Sequence, residues 1–247
     1  MKTKFAAGNP FIDHTTWGYS YESIPSGGVL LDFGCFEGEF IDRLAKAKRV
    51  TVYGVDKDRD AIARYRGPHT VRVFDGSIPF PDATFDIVTM FDVIEHIHDQ
   101  NSILLEIHRV LKFGGLLVIT TPRRHIFSFL DLGNLKYSFP RLHKFWYTRR
   151  HSLEEYNYRY VDNPSGLIGN VEKEKYWHQH FRDEELVDLL VNSGFEVDDI
   201  DPYGLFGDVM TFLGQLGMGF LFPEKVRHWD DRTFASRQFC CRFSKPA

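Results

Sequence analysis

Residues 29–40 read VLLDFGCFEGEF: an apolar run, an acid inside its end, then a turn punctuated by Gly34 and Gly38. The pattern Asp32-x-Gly34-Cys35-x-x-Gly38 sets a carboxylate beside backbone that a ligand can approach, and Glu37 adds a second acid. Two phosphate-binding patterns fail against it. The dinucleotide pattern G-x-G-x-x-G brings backbone amides onto a pyrophosphate, but here Phe36 and Glu39 stand where the second and third glycines belong. The phosphate loop G-x-x-x-x-G-K-[ST] is absent. Carboxylates at such a turn repel phosphate and suit a ligand with positive charge and no phosphate. Acids recur at Asp56, at Asp75 and between Phe91 and Glu95. A lone aspartate is more often a helix cap or turn former; acids past successive strand ends read as a ligand site.

Those positions depend on alternating elements. Val29–Phe33 is a compact apolar run suited to a strand buried on both faces. Residues 39–48 place Phe40, Ile41, Leu44 and Ala45 on one helical stripe. Further strands are expected at 50–56 and 70–76, within 84–97, and at 116–122. A helix is expected at 59–67, stopped by Gly67-Pro68, and another at 101–115, ended by Gly114-Gly115. Such alternation implies an α/β, Rossmann-like parallel sheet with helices on both faces and ligands outside the carboxyl ends of its strands. The regular pattern stops at Thr121. Residues 123–177 show no clean period, 183–200 resume as helix, turn and strand, and 236–245 alternate enough for a last strand in an edge or antiparallel position.

Composition narrows the classes. With 247 residues, 43% apolar content and a net charge of −4, the chain is sized for one large α/β domain and has no global basic field for nucleic acid. Its three cysteines, two of them adjacent, make neither a disulfide framework nor a metal-ligand spacing. The first twenty residues lack an apolar signal core, and no run approaches the roughly 18 apolar residues that span a bilayer. A cytoplasmic protein is expected.

The motifs together resemble the class I S-adenosylmethionine-dependent methyltransferases, over 28–122 and again over 177–200. That family's first motif, D-x-G-C-G-x-G, is matched by Asp32, Gly34, Cys35 and Gly38. The resemblance implies S-adenosylmethionine as cofactor, its positive sulfonium and ammonium facing Asp32. It implies that Asp56, with Lys57 beside it, accepts hydrogen bonds from both ribose hydroxyls. In "FDGSIPFPDATFDIVTMFDVIEHI" it places Asp75 against the adenine amino group, Gly76 and Ser77 beside it, and Phe91 and Asp92 at the pocket edge. "VLKFGGLLVITTP" is similar to the family's "LKPGG" turn and fifth strand. The implied architecture is a single domain, 1–247, on a seven-stranded, mostly parallel sheet. It divides into a cofactor-binding half (28–122), a lid insertion after the fifth strand (123–177), and a C-terminal helix with closing strands (178–247). Phe36 departs from the family's small residue. Either its φ is negative and the backbone tolerates the side chain, or the loop is distorted and binds weakly; tolerance is expected, because the peptide amides make the contacts and the ring can point away.

Methyl transfer is an in-line displacement that rests largely on proximity, with a general base wanted for a hydroxyl acceptor. The candidate bases are His96 after the fourth strand, His125 after the fifth, and His180 in "YWHQHF". His178 and His180 are not a metal site by themselves, since no third ligand is evident. "HQHFRDEELVDLLVNSGFEV" resembles a stretch of the ubiquinone-biosynthesis O-methyltransferases and their sugar- and lipid-modifying relatives, which puts His180 first. Residues 123–150 hold seven Lys/Arg against one acid, Asp131, and seven interleaved aromatic residues. A lid so composed suits an anionic acceptor with an apolar part, or peripheral contact with an anionic membrane; an ordinary packed cap or dimer interface fits equally. The apolar, glycine-broken stretch 209–223 is expected to cover the core. The expected activity is O-methylation of a small molecule, glycan or lipid-linked intermediate. The alternatives are a non-catalytic methyltransferase-like binding module and, disfavoured by the failed glycine pattern, a nicotinamide oxidoreductase.

Overall fold

Successive side chains of a strand point to opposite faces, and in β1 (Val29–Phe33) both directions are apolar. Leu30 faces one core with Val52, Ile87 and Val118; Leu31 faces the other with Val88, Leu117 and Ile119. The sheet is therefore covered on both sides. The structure, a computed structural model, describes residues 9–11, 15–124, 136–137, 139–162, 179–203 and 238–246.

The elements follow as α1 (Thr15–Ser23), β1, α2 (Glu39–Ala47), β2 (Thr51–Asp56), α3 (Arg59–Arg64), β3 (Thr70–Val73), β4 (Phe85–Phe91), a 3-10 turn (Ile94–His96), α4 (Gln100–Val110) and β5 (Leu111–Pro122). Then come α5 (Pro140–Tyr147), α6 (Leu153–Asn157), a π-helical turn (Tyr158–Asp162), α7 (Asp183–Asn192), β6 (Glu196–Tyr203) and β7 (Gln238–Ser244). Strand order is β3-β2-β1-β4-β5-β7-β6. Only five of the expected seven strands, β1 to β5, make up the continuous parallel body. β7 is antiparallel to both of its neighbours. It lies between β5 and β6, so the antiparallel expectation for this strand holds and the edge position does not.

Order reverses between β1 and β4, the point in such sheets where connections leave to opposite sides and ligands bind outside the carboxyl ends. One face is covered by α4 and α7 through Leu104, Ile107, Val110, Leu186 and Leu190. The other is covered by α2 through Phe40, Ile41 and Leu44, with Phe11 and Ile24 from the N-terminal segment. Helix α1 was not among the expected elements. Polar tethers hold it and its flanks: Lys48 Nζ donates to the carbonyls of Tyr21 and Ile24, and Arg43 donates to that of Pro10 at 2.5 Å.

The α4 helix stops at Val110 instead of running to Gly114-Gly115. Leu111 already pairs with Phe85, and the buried Lys245 ammonium donates to the carbonyls of His108 and Leu111 at 2.8 and 2.9 Å. A cation on the last carbonyls of a helix satisfies acceptors that have no partner in the helix itself. Within the 123–177 insertion, α5, α6 and the π-helical turn are described; His125, His178 and the stretch 209–223 lie outside the described residues. Among the described residues, no helix is long and apolar enough to cross a membrane.

Phe181 returns the chain to the sheet. It bridges to Arg123, its amide donates to Pro122 O at 3.0 Å, and its carbonyl accepts from Arg124 at 2.7 Å. Its ring is buried in the core with Leu186 and Leu190. Phe181→Ala should cost about 3–5 kcal/mol, the range for emptying a phenylalanine site; urea unfolding showing a loss below about 1 kcal/mol would contradict this anchoring role.

Candidate active site

The loop after β1 is moulded onto the end of β2. The amides of Gly34 and Cys35 both donate to Val55 O, at 2.8 and 3.1 Å. Phe36 N–H donates to Asp56 Oδ2 at 2.8 Å, while Asp58 N–H donates to Asp56 Oδ1 at 2.8 Å. Asp58 then caps α3, accepting from the amides of Asp60 and Ala61. Two glycines are required by shape as well as by φ. A Cβ on Gly34 (φ +90°) would stand 2.4 Å from Val93 Cγ2, and one on Gly38 (φ +78°) 2.5 Å from Tyr65 Cε2.

Phe36 has φ +46°, so the expected negative φ is wrong. In this left-handed conformation its amide reaches the carboxylate of Asp56, while the residue stays 48% exposed. Glu37 does not add its charge to the loop's interior either: Arg64 Nε donates to it at 2.7 Å on the outer rim. The Cys35 thiol is buried, and burial followed by the nearby charges of Asp32 and Asp56 pushes its pKa up. It stays protonated and serves as packing.

Asp32 is 3% exposed and accepts from Thr89 Oγ1 at 2.7 Å; no Lys or Arg is paired with it among the described residues. Burial pushes its pKa up to about 7, the Thr89 hydrogen bond opposes that rise, and Asp56 adds to it. Asp56 is likewise buried, and after its two amide contacts a carboxylate still has lone pairs for further donors. Lys57, exposed beside it, has its pKa lowered by desolvation, against the pull of Asp56 and Asp58. Asp75, Gly76 and Ser77 form an exposed rim after β3, with Asp75 paired to Arg59 at 2.9 Å.

At the end of β4, Phe91 sets its ring edge-on to Phe40 at 4.7 Å, and Phe40 stacks on Phe11 at 5.3 Å. Asp92 (φ +53°) is clasped to β5: its amide donates to Thr120 O and its carboxylate accepts from Thr120 Oγ1, both at 3.0 Å. Glu95, 2% exposed, accepts from Thr121 Oγ1 at 3.1 Å. The Gln179 amide donates to Glu95 O at 3.4 Å, and Gln100 Nε2 bridges Ile94 O and Gln179 Oε1. His96 and His180 each follow one member of the Glu95–Gln179 backbone pair, so the segments that carry these two expected histidines run side by side there. His125 lies outside the described residues. Sequence reasoning missed Thr89, Thr121 and the burial of Glu95. The available signal was threonine inside otherwise apolar strands, "IVTMF" and "VITTP". Among the described residues no group of three His, Cys, Asp or Glu could hold a metal ion.

Asp32 makes the site pH-sensitive. Its folded pKa lies above the usual carboxylate value of 3.8. The stability that this group contributes is thus fully present below about pH 4 and is lost as pH rises through about 7. A cationic ligand prefers the ionised form, so its affinity should rise about tenfold between about pH 6 and 7.5, with proton release. Calorimetry in buffers of different ionisation enthalpy should detect that proton, and Asp32→Asn should abolish it; pH-independent binding by the wild type would refute the assignment. Phe36→Gly relieves a left-handed side chain but adds backbone freedom. It should stabilise by about 0.5–1 kcal/mol and leave ligand affinity within about threefold. A much larger gain in affinity would show that the ring obstructs the site.

A family model described as a methyltransferase domain matches residues 17–160. The chain is 38% identical over 107 residues to a "probable S-adenosylmethionine-dependent methyltransferase" of Mycolicibacterium smegmatis, covering 42% of this chain and 41% of that one. It therefore spans about two fifths of that relative's length. It is 30% identical over 204 residues to a demethylmenaquinone methyltransferase of Geobacillus stearothermophilus, covering 78% of this chain and 80% of that one. A solved S-adenosylmethionine-dependent methyltransferase from Mesorhizobium loti superposes with a TM-score of 0.58 at 17% identity, covering 93% of this chain and 97% of that one, which is a likeness of fold.

Proposed function

We propose that this chain, which belongs to the methyltransferase domain family, transfers a methyl group from S-adenosylmethionine to an oxygen of a small molecule, glycan or lipid-linked acceptor. The observation that carries the reading is the buried Asp32 carboxylate, whose only described partner is the Thr89 hydroxyl, next to the buried, amide-braced carboxylate of Asp56. Such a donor set fits a ligand that is cationic at one end and carries hydroxyls at the other. The cofactor, when bound, supplies an electrophilic methyl group on a sulfonium.

The residues divide the remaining work. Asp32 offers negative charge at the β1–β4 crevice, and burial strengthens its attraction for a cation. Asp56 offers acceptors to the ribose hydroxyls, with the amides of Phe36 and Asp58 holding its orientation. Asp75, Gly76 and Ser77 form the adenine side. His96, on the turn that carries buried Glu95, and His180, on the segment whose Gln179 amide bonds to that turn, are the candidates to take a proton from an acceptor hydroxyl. A hydroxyl gives up its proton during transfer, so a base within hydrogen-bond reach lowers the barrier. The basic, aromatic insertion is read as a lid on the acceptor side. The relative named for demethylmenaquinone, aligned over 78% of this chain, supports a small-molecule acceptor.

The test is transfer of labelled methyl from S-adenosylmethionine into fractionated acceptor pools. Asp56→Ala should weaken cofactor binding by on the order of 1–3 kcal/mol, since buried hydroxyls lose a paired acceptor. His180→Ala and His96→Ala should be compared across pH; the variant lacking the base should lose the ascending limb of kcat while cofactor affinity stays unchanged. Binding of NADH in place of S-adenosylmethionine would overturn the reading. Binding of S-adenosylmethionine without transfer to any pool would identify a binding module.

A further inference from the structure

Helix α5 carries aromatic or apolar residues on two sides. On one side His143 and Tyr147 pack against the segment that follows. The His143 ring lies 5.6 Å from that of Tyr156 and 4.8 Å from that of Tyr160, and Tyr147 meets Tyr160 at 5.2 Å. His143 Nδ1 is buried, and burial followed by the charge of Lys136 pushes its pKa down to about 4. This side is an aromatic cluster that fixes α5 onto α6 and the π-helical turn, with Lys144 over the Tyr156 ring at 5.2 Å and Glu155 and Arg159 on the Tyr147 hydroxyl.

Among the described residues the other side has no such cover. Leu142, Phe145 and Trp146, spaced i, i+3, i+4, are 49%, 52% and 50% exposed. One turn further on, the Arg149 guanidinium lies over Phe145 at 4.8 Å and Trp146 at 6.0 Å. Between residues 139 and 152 there are four Lys/Arg (Arg141, Lys144, Arg149, Arg150) and no acid, in a chain whose net charge is −4.

We propose that this face of α5 docks on an anionic lipid surface. Three half-exposed apolar side chains rimmed by arginine match the boundary between headgroups and acyl chains, where Trp and Arg set an apolar body inward and a polar part outward. The chain as a whole is net acidic and is repelled by anionic headgroups, so local attraction at this basic segment favours an approach with this face. The proposal does not rest on methyl transfer.

Flotation with vesicles of phosphatidylcholine alone, and of phosphatidylcholine with phosphatidylglycerol, tests it. The protein should float with the anionic vesicles and remain behind with the neutral ones. Arg149→Glu with Arg150→Glu should weaken binding by about tenfold or more. Phe145→Ser with Trp146→Ser should weaken it similarly, and high salt should mimic the charge change. S-adenosylhomocysteine affinity, measured on each variant, verifies folding and separates failure here from failure of the methyl-transfer reading. Should the aromatic pair fail to fold, the arginine pair and the salt series decide alone. Equal binding to both vesicle types, or indifference to charge reversal, overturns the proposal. So does sedimentation showing a wild-type dimer that Phe145→Ser with Trp146→Ser dissolves, which would assign the face to a second copy of this chain.

Discussion

One carboxylate ties the site together. Asp56, at the end of β2, accepts from the Phe36 amide in the loop after β1 and from the Asp58 amide before α3. Those contacts join the Val55 carbonyl, the Gly38–Cys35 backbone bond, the Arg64–Glu37 pair and the packing of Gly34 and Gly38 in holding the loop's path. The same carboxylate raises the proton affinity of Asp32, adding to the larger effect of burial. Loop shape and site electrostatics are therefore linked through Asp56, and replacing it would disturb both.

Several acids of this protein contrast in the partners shown for them. Those on the rim meet cations: Glu37 with Arg64, Asp75 with Arg59, Asp82 with Arg109 and Asp86 with Lys112. Those at the strand ends accept from hydroxyls or amides: Asp32 from Thr89, Asp92 from Thr120, Glu95 from Thr121, and Asp56 from backbone. A hydroxyl satisfies an acceptor without cancelling its charge. At Asp32 this leaves a buried negative potential that an incoming cation can use. A lysine in the position of Thr89 would neutralise it in advance.

The scaffold and the acids were legible in the sequence for physical reasons. Two-faced apolar strands and one-striped helices have fixed periods, and the acids past their ends follow from the topology that those periods imply. The misses share a cause, which is contact between distant segments. The end of α4 depends on Lys245, 134 residues beyond Leu111. Helix α1 is held by Lys48 and by Phe11 against Phe40, and β7 takes an interior position because β6 pairs with its outer edge. Glu37 looked like part of the charged loop because its neighbours are; only the arrival of Arg64 from α3 moves it to the rim. The histidines were recognisable as residue types, whereas the seating of Gln179 on Glu95, which sets their two segments side by side, was not.

Phe36 shows how a local rule yields to a stronger contact. A side chain in the left-handed region costs about 1–2 kcal/mol. A hydrogen bond to a charged acceptor contributes about 1.5–3 kcal/mol, and Phe36 N–H makes one with buried Asp56. The second figure covers the first, so the loop keeps its path with phenylalanine in place. With the ring half exposed, no core volume has to be reorganised to admit it. A glycine here relieves strain but adds no contact, because the amide makes the contact in either case. The departure from the small residue expected at this position thus alters the energy of the loop more than its shape, and the approach of a ligand depends on shape.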